Sequence, residues 1–305
     1  MKISKLKKLY SKEIKTLDFD LILAYTIKKP REFLYSHPEY KLNLKELILF
    51  KVYSNKIKKG VPIAYITKTK EFFGLDFFVG KNVLIPRPET EIVVEEVLKQ
   101  LHPHPKQNNC HSELLAYRQA GVSESKTILI DVGTGSGCIP ISIMTTLQHC
   151  NITTLATDIS IKALKIAKNN AEKHNVKINF LHGNLLEPIL EHFNTATLQH
   201  CNKIIITANL PYVTEKQYRQ EPSIQHEPKL ALTAKKEGLD LYEKLLKQIV
   251  LLPSNYSTLT IYFEIDPNQT KKIKSLIKKY LPKVDIQIIQ DLNEKNRIVK
   301  IIYSN

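Results

Sequence analysis

Ile128-Leu129-Ile130-Asp131-Val132-Gly133-Thr134-Gly135-Ser136-Gly137 is the stretch on which the fold turns. An apolar run of strand length ends in a carboxylate, and three of the chain's nine glycines then fall within five positions. Glycines at such a turn let the backbone reverse sharply and let a ligand approach where a Cβ would block it. A dinucleotide fingerprint would need G-x-G-x-x-G. Counted from Gly133 the last place holds Cys138, and counted from Gly135 it holds Pro140. The P-loop lysine is missing as well. The stretch therefore reads as a strand, a ligand-binding turn and a helix, without either phosphate motif.

Outward from this turn the pattern repeats. Strands are expected at 127–132, 152–157, 178–182, 204–208, 259–265, 286–290 and 297–303, with helices through 147 and at 161–174, 239–250 and 270–280. Such alternation specifies an α/β fold, a mostly parallel sheet covered on both faces. Only about six residues separate the last two strands, too few for a crossover helix, so they should pair antiparallel. Residues 1–70 instead show helix periodicity. Ile14, Leu17, Leu21, Leu23, Ala24 and Ile27 fit one apolar stripe, and Leu42, Leu44, Leu47, Ile48 and Val52 fit another. Pro30 and Pro38 divide this region into several short helices. Residues 71–79 and 82–85 read as a β-hairpin around Gly80-Lys81, closed by Pro86-Arg87-Pro88, and 89–101 as a helix with an acidic first turn. The expected organisation is a small helical domain at 1–70, a hairpin linker at 71–88 and the main α/β domain at 89–305.

Composition narrows the function. The 305 residues carry a net charge of +15, but forty of the forty-five basic residues are lysine and they are scattered. A solvated lysine-rich surface explains this as readily as a nucleic-acid face, which usually favours arginine. No apolar run approaches the ~18 residues of a membrane span, and no apolar segment follows the basic start Met1 to Lys8. A cytoplasmic monomer that does not enter membranes is expected. Cys110, Cys138, Cys150 and Cys201 form no C-x-x-C pair. His102, His104, Cys110 and His111 match no common ligand spacing, so no metal is expected. Residues 102–126 lack periodicity, and Thr-Leu-Gln-His-Cys-Asn occurs at both 146–151 and 197–202. These read as insertions in surface loops, and deleting 104–124 should leave stability and activity nearly intact.

The spacing Gly133-x-Gly135-x-Gly137 resembles the loop of class I S-adenosylmethionine methyltransferases. That cofactor presents a sulfonium and an ammonium, which the acidic lead residue Asp131 suits. Thr134 and Ser136 complete the loop. Asp158, ending the second strand, can accept from both ribose hydroxyls. Asn184 and Leu185, after the third strand, would flank the adenine. Resembling enzymes usually carry Asp where Asn184 stands, and Asn keeps an acceptor oxygen but not the charge.

The fourth strand runs into Asn209-Leu210-Pro211-Tyr212, which resembles the Asn-Pro-Pro-Tyr motif of enzymes that methylate a planar –NH2 nitrogen. Such a nitrogen is a poor nucleophile because its lone pair is delocalised. Two acceptors, the Asn209 side-chain oxygen and the Leu210 carbonyl, can hold its two hydrogens so that the lone pair faces the methyl group. Pro211 shapes the turn, and Tyr212 can cover the planar group and exclude water. Leu210 replaces the usual second proline; a carbonyl survives at any residue type, although the φ restraint is lost. Asn-Leu-Pro-Tyr also resembles ribosomal RNA adenine dimethyltransferases, so the tetrapeptide alone does not name the substrate.

Segments beyond the core resemble the HemK/PrmC family of peptide chain release factor glutamine methyltransferases. They include Gly60-Val61-Pro62-Ile63-Ala64-Tyr65-Ile66, Glu71-Phe72-Phe73-Gly74-Leu75 and Val83-Leu84-Ile85-Pro86-Arg87-Pro88-Glu89-Thr90-Glu91. Glu227-Pro228-Lys229-Leu230-Ala231-Leu232, Gly238-Leu239-Asp240-Leu241-Tyr242, Glu264 with Gln269, and Asp291 with Arg297 also fit. The resemblance implies a Rossmann-like, seven-stranded class I fold, mostly parallel with an antiparallel last strand, and S-adenosyl-L-methionine as cofactor. It implies the Gly-Gly-Gln glutamine of class 1 release factors as substrate, recognised by the N-terminal helices. Arg87 and Glu89 would then either line the cleft or brace the bridge as an ion pair. An RNA or DNA amine methyltransferase, and a non-catalytic cofactor-binding partner protein, remain as alternatives.

Overall fold

The computed structural model describes residues 1–101, 127–147, 150–192, 201–253 and 256–304. Residues 102–126, with their histidines and Cys110, lie outside the described residues, as do parts of both hexapeptide copies.

Five helices come first: α1 (Ile3–Tyr10), α2 (Thr16–Ile27), α3 (Arg31–Ser36), α4 (Leu44–Lys58) and α5 (Ile63–Thr67). Asn43 and Glu46 cap α4 reciprocally, each side chain accepting from the other's backbone N–H at 2.9 Å. Helices α2 and α4 close on Phe50, which meets the rings of Phe19 and Tyr10 edge-on at 5.3 and 5.1 Å. The expected stripes are only partly buried. Leu17 on α2, and Leu44, Ile48 and Val52 on α4, are exposed, while Ile22, Phe50 and Ser54 hold the inner positions. Helix α4 carries apolar side chains on both its inner and its outer face, so its spacing alone does not mark the buried side.

The hairpin also departs from expectation. Strands β1 (Thr69–Phe72) and β2 (Leu75–Phe78) pair antiparallel about Phe73-Gly74, and residues 82–85 form no strand. Phe73 and Gly74 both have positive φ, 52° and 72°, the pattern of a two-residue hairpin turn whose twist matches its strands. Gly80-Lys81 begins the path to the bridge instead. A turn of 3-10 helix, Pro88–Thr90, leads into α6 (Glu91–Leu101).

The sheet contains β3 (Thr127–Val132), β4 (Ile152–Asp158), β5 (Asn179–His182), β6 (Lys203–Ala208), β7 (Thr258–Glu264), β8 (Asp285–Gln290) and β9 (Asn296–Ser304). Their spatial order is β5-β4-β3-β6-β7-β9-β8. The first five are parallel, and β9 runs antiparallel to both neighbours. Helices α7 (Cys138–Thr146), α8 (Ile161–Lys173), α11 (Asp240–Ile249) and α12 (Thr270–Tyr280) cover it. Two six-residue helices, α9 (Glu187–His192) and α10 (Glu215–Gln220), were not expected; six residues are too few to show a period. The chain leaves β3 towards β4 on one side and returns to β6 on the other. The crevice beyond the carboxyl ends of β3 and β6 is therefore the topological switch point.

Candidate active site

A cavity occupies that switch point. On one side Gly133, Thr134, Gly135 and Ser136 form its wall, with Asp158, Asn184 and Leu185 beside them. Gly133, Gly135 and Gly137 all have positive φ. A Cβ at Gly137 would stand 2.8 Å from Ile141 Cδ1, and one at Gly133 would stand 3.0 Å from Leu210 Cδ2. Those two glycines hold the turn against α7, α8 and the Asn209 loop.

Asp158 braces the turn from β4. Its Oδ2 accepts from the Gly135 N–H at 2.9 Å and its Oδ1 from the Ser160 N–H at 2.8 Å. Burial raises its pKa, and those backbone hydrogen bonds oppose the rise. Asp131 lies beneath the turn, fully buried and behind the cavity wall. Thr207 donates to its Oδ1 at 2.6 Å. Burial pushes its carboxyl up to about 6, with the Thr207 hydrogen bond pulling the other way. Asn184 turns its amide to Glu187 Oε1 at 2.8 Å.

The opposite wall carries Asn209, Leu210 and Pro211, with Arg87 and Thr90 from the bridge. The Asn209 amide donates to Thr90 Oγ1 at 3.0 Å, and the Thr90 hydroxyl donates to Glu264 Oε2 at 2.7 Å. Tyr212 stands behind this wall, its hydroxyl 3.5 Å from Glu264 Oε1. The Leu210 N–H donates to the Tyr242 hydroxyl at 3.3 Å, and that hydroxyl donates to the Glu264 carbonyl. Gly238 has φ +85°, and a Cβ there would stand 2.2 Å from the Tyr212 carbonyl oxygen. Arg87 is ion-paired to Glu227, whose other oxygen accepts from the Ile85 N–H at 3.0 Å. Glu89 is half-exposed and lies 4.0 Å from Arg297.

Sequence reasoning assigned no role to Thr90, Glu264, Tyr242, Gly238 or Asn170. Asn170 ties the hairpin to the glycine turn: its amide reaches Ser136 O at 2.8 Å and Phe78 O at 3.0 Å, and its Oδ1 accepts from the Phe78 N–H at 2.7 Å. A polar residue inside the apolar face of α8 was the available signal.

This cavity suits a nucleoside with a cationic tail. A Cβ at Gly135 would meet only the Gly133 carbonyl oxygen, at 4.0 Å, and Ile159, an apolar side chain 53% exposed, forms part of the wall. Buried Thr134 Oγ1, Ser136 Oγ and Asp131 Oδ2 make no hydrogen bond among the described residues, and Asp158 supplies an acid at the rim.

Comparison with known proteins agrees. Residues 3–67 match the PrmC N-terminal domain and residues 112–199 the methyltransferase small domain. The release factor glutamine methyltransferase of Bacillus subtilis is 32% identical over 289 residues, covering 94% of this chain and 91% of that one. The chain belongs to the release factor glutamine methyltransferase family. A second member, from Coxiella burnetii, is 35% identical over 86% of this chain and 82% of its own. Among solved structures, the hMettl16 catalytic domain in complex with MAT2A 3'UTR hairpin 1 superposes with a TM-score of 0.54 at 15% identity, covering 92% of this chain and 90% of that one. At that identity it shows the class I methyltransferase fold alone. No helix among the described residues is long and apolar enough to cross a membrane.

Proposed function

We propose that the protein methylates the side-chain amide of the Gly-Gly-Gln glutamine in class 1 release factors, with S-adenosyl-L-methionine as methyl donor. The observation that carries this reading is the Asn209 carboxamide, which lines the cavity with its amide turned back to Thr90. Its Oδ1 then serves as an acceptor for a planar –NH2 group.

When bound, the cofactor supplies a methyl group made electrophilic by its sulfonium. The glycine turn and Asp158 hold the nucleoside, Asp158 through its ribose hydroxyls. Asn184 and Leu185 border the base, and Asp131 places negative charge beneath the cationic tail. Asn209 Oδ1 and the Leu210 carbonyl accept from the two hydrogens of the acceptor amide, which aims its lone pair at the donor. Pro211 closes the site against water, and Tyr212 backs that wall from behind, its hydroxyl turned to Glu264. The methylated nitrogen sheds its extra proton readily, so no strong base is required, and catalysis is placement plus dipoles aimed at developing positive charge. Arg87 and Glu227 hold the bridge over the cavity, and Glu89 sits at its outer edge. The N-terminal helices recognise the factor, and one copy of the chain suffices.

The test is transfer of labelled methyl to an intact release factor, to its Gly-Gly-Gln→Gly-Gly-Ala version and to ribosomal RNA. Label on the intact factor alone is the expected result. Label on RNA but not on the factor would overturn the reading.

A further inference from the structure

We propose that Thr90 and Glu264 are positioning residues that fix which end of the Asn209 carboxamide faces the methyl acceptor. The inference rests on the reading that Asn209 receives that acceptor. A carboxamide is nearly symmetric in shape but not in function. Its oxygen end accepts from an –NH2 group, whereas its own NH2 end would repel one.

The direction follows from donor arithmetic. An ionised Glu264 can only accept, so the Thr90 proton must point to its Oε2 across 2.7 Å. Thr90 Oγ1 then has only lone pairs left for Asn209, so the Asn209 atom 3.0 Å away must be the amide nitrogen. One buried carboxylate thus orders a chain of three side chains from the bridge, β7 and the loop after β6. Thr90 and Glu264 are each about 2% exposed, so water does not compete for these bonds.

The order depends on Glu264 being ionised. Burial pushes its carboxyl up to about 7, and the Thr90 hydrogen bond opposes the rise. Glu89 on the bridge raises it further, and Arg297 on β9 and the Tyr212 hydroxyl lower it. Tyr242 on α11 and Cys138 on α7 also face it. Protonated Glu264 can donate to Thr90. The Thr90 hydroxyl is then released to donate to Asn209, which satisfies it by presenting oxygen and turning its NH2 to the acceptor.

The test compares Thr90→Val, Thr90→Ser and Glu264→Gln with wild type in methyl transfer to the release factor. Thr90→Val keeps the volume but removes the hydroxyl. It should lower kcat about 10-fold, with KM for the factor and cofactor affinity within about twofold of wild type. Thr90→Ser should restore most of the loss. Wild-type kcat should fall as pH drops below about 7, and Glu264→Gln should lack that fall because its neutral amide does not titrate. Wild-type kcat in Thr90→Val, an equal loss in Thr90→Ser, or an unchanged pH profile in Glu264→Gln would each overturn the proposal. Side-chain amide NMR reads the relay without any acceptor. The Asn209 amide, assigned by its disappearance in Asn209→Asp, should exchange with water more slowly in wild type than in Thr90→Val, and equal rates would overturn it. Absence of transfer by wild type would instead sink the substrate reading, leaving the relay to be judged on the amide signal.

Discussion

On the β3–β4 side of the cavity, the contacts are made by main chain. Gly133, Gly135 and Gly137 turn with positive φ, and Asp158 fastens two backbone N–H groups. On the β6–β7 side the contacts are made by side chains far apart in sequence. Asn209 leans on Thr90, Thr90 on Glu264, and Arg87 on Glu227. The difference matches the tasks. A cofactor surface needs shape and close approach, which backbone supplies. An acceptor surface needs a defined hydrogen-bond polarity, which only ordered side chains supply.

If the two sides do separate jobs, mutations on them should separate in their readouts. Asn209→Ala should lower kcat about 10²-fold or more while leaving cofactor affinity within about twofold, measured by methyl transfer and titration calorimetry. A matching loss of cofactor affinity would break the division. Glu227→Ala strips the partner from Arg87 and from the buried Ile85 N–H. It should cost about 2.5 kcal/mol in urea unfolding, more than Glu215→Ala, which breaks the solvent-exposed Glu215–Lys229 pair.

Glu264 gives a pH signature. Its ordinary value of 4.5 rises to about 7 in the fold, so the folded state binds more protons than the unfolded one across that window. Stability from this group is therefore full below the lower value and declines as pH rises to the upper one. Glu264→Gln should be more stable than wild type by about 2 kcal/mol near pH 8, and the gap should narrow steadily as pH falls towards 4.5. A constant gap would show that the carboxyl is not perturbed. The smallest effect is expected on the backbone side. Asp158→Ala should weaken cofactor binding about 10-fold, with kcat at saturating cofactor little changed.

The same contrast explains what the sequence disclosed. The inner strands are buried on both faces, so 127–132 and 204–208 stand out as continuous apolar runs, and the glycine turn and Asn209 loop follow directly from them. The relay carried no such mark, because Thr90 and Glu264 belong to segments 174 positions apart and Glu264 merely ends an apolar strand. In the helical region, Leu44, Ile48 and Val52 have helical spacing yet point outward; period alone does not say which face is inside. The hairpin turn was misplaced because Phe73 adopts a positive φ that its residue type does not advertise.

A crystal structure of the protein with its cofactor product and a Gly-Gly-Gln peptide of the release factor would probe the acceptor surface most directly. The glutamine nitrogen should lie within hydrogen-bond distance of Asn209 Oδ1, with Asn209 Nδ2 still on Thr90. A glutamine amide turned away from Asn209, or held by its Nδ2, would contradict the mechanism.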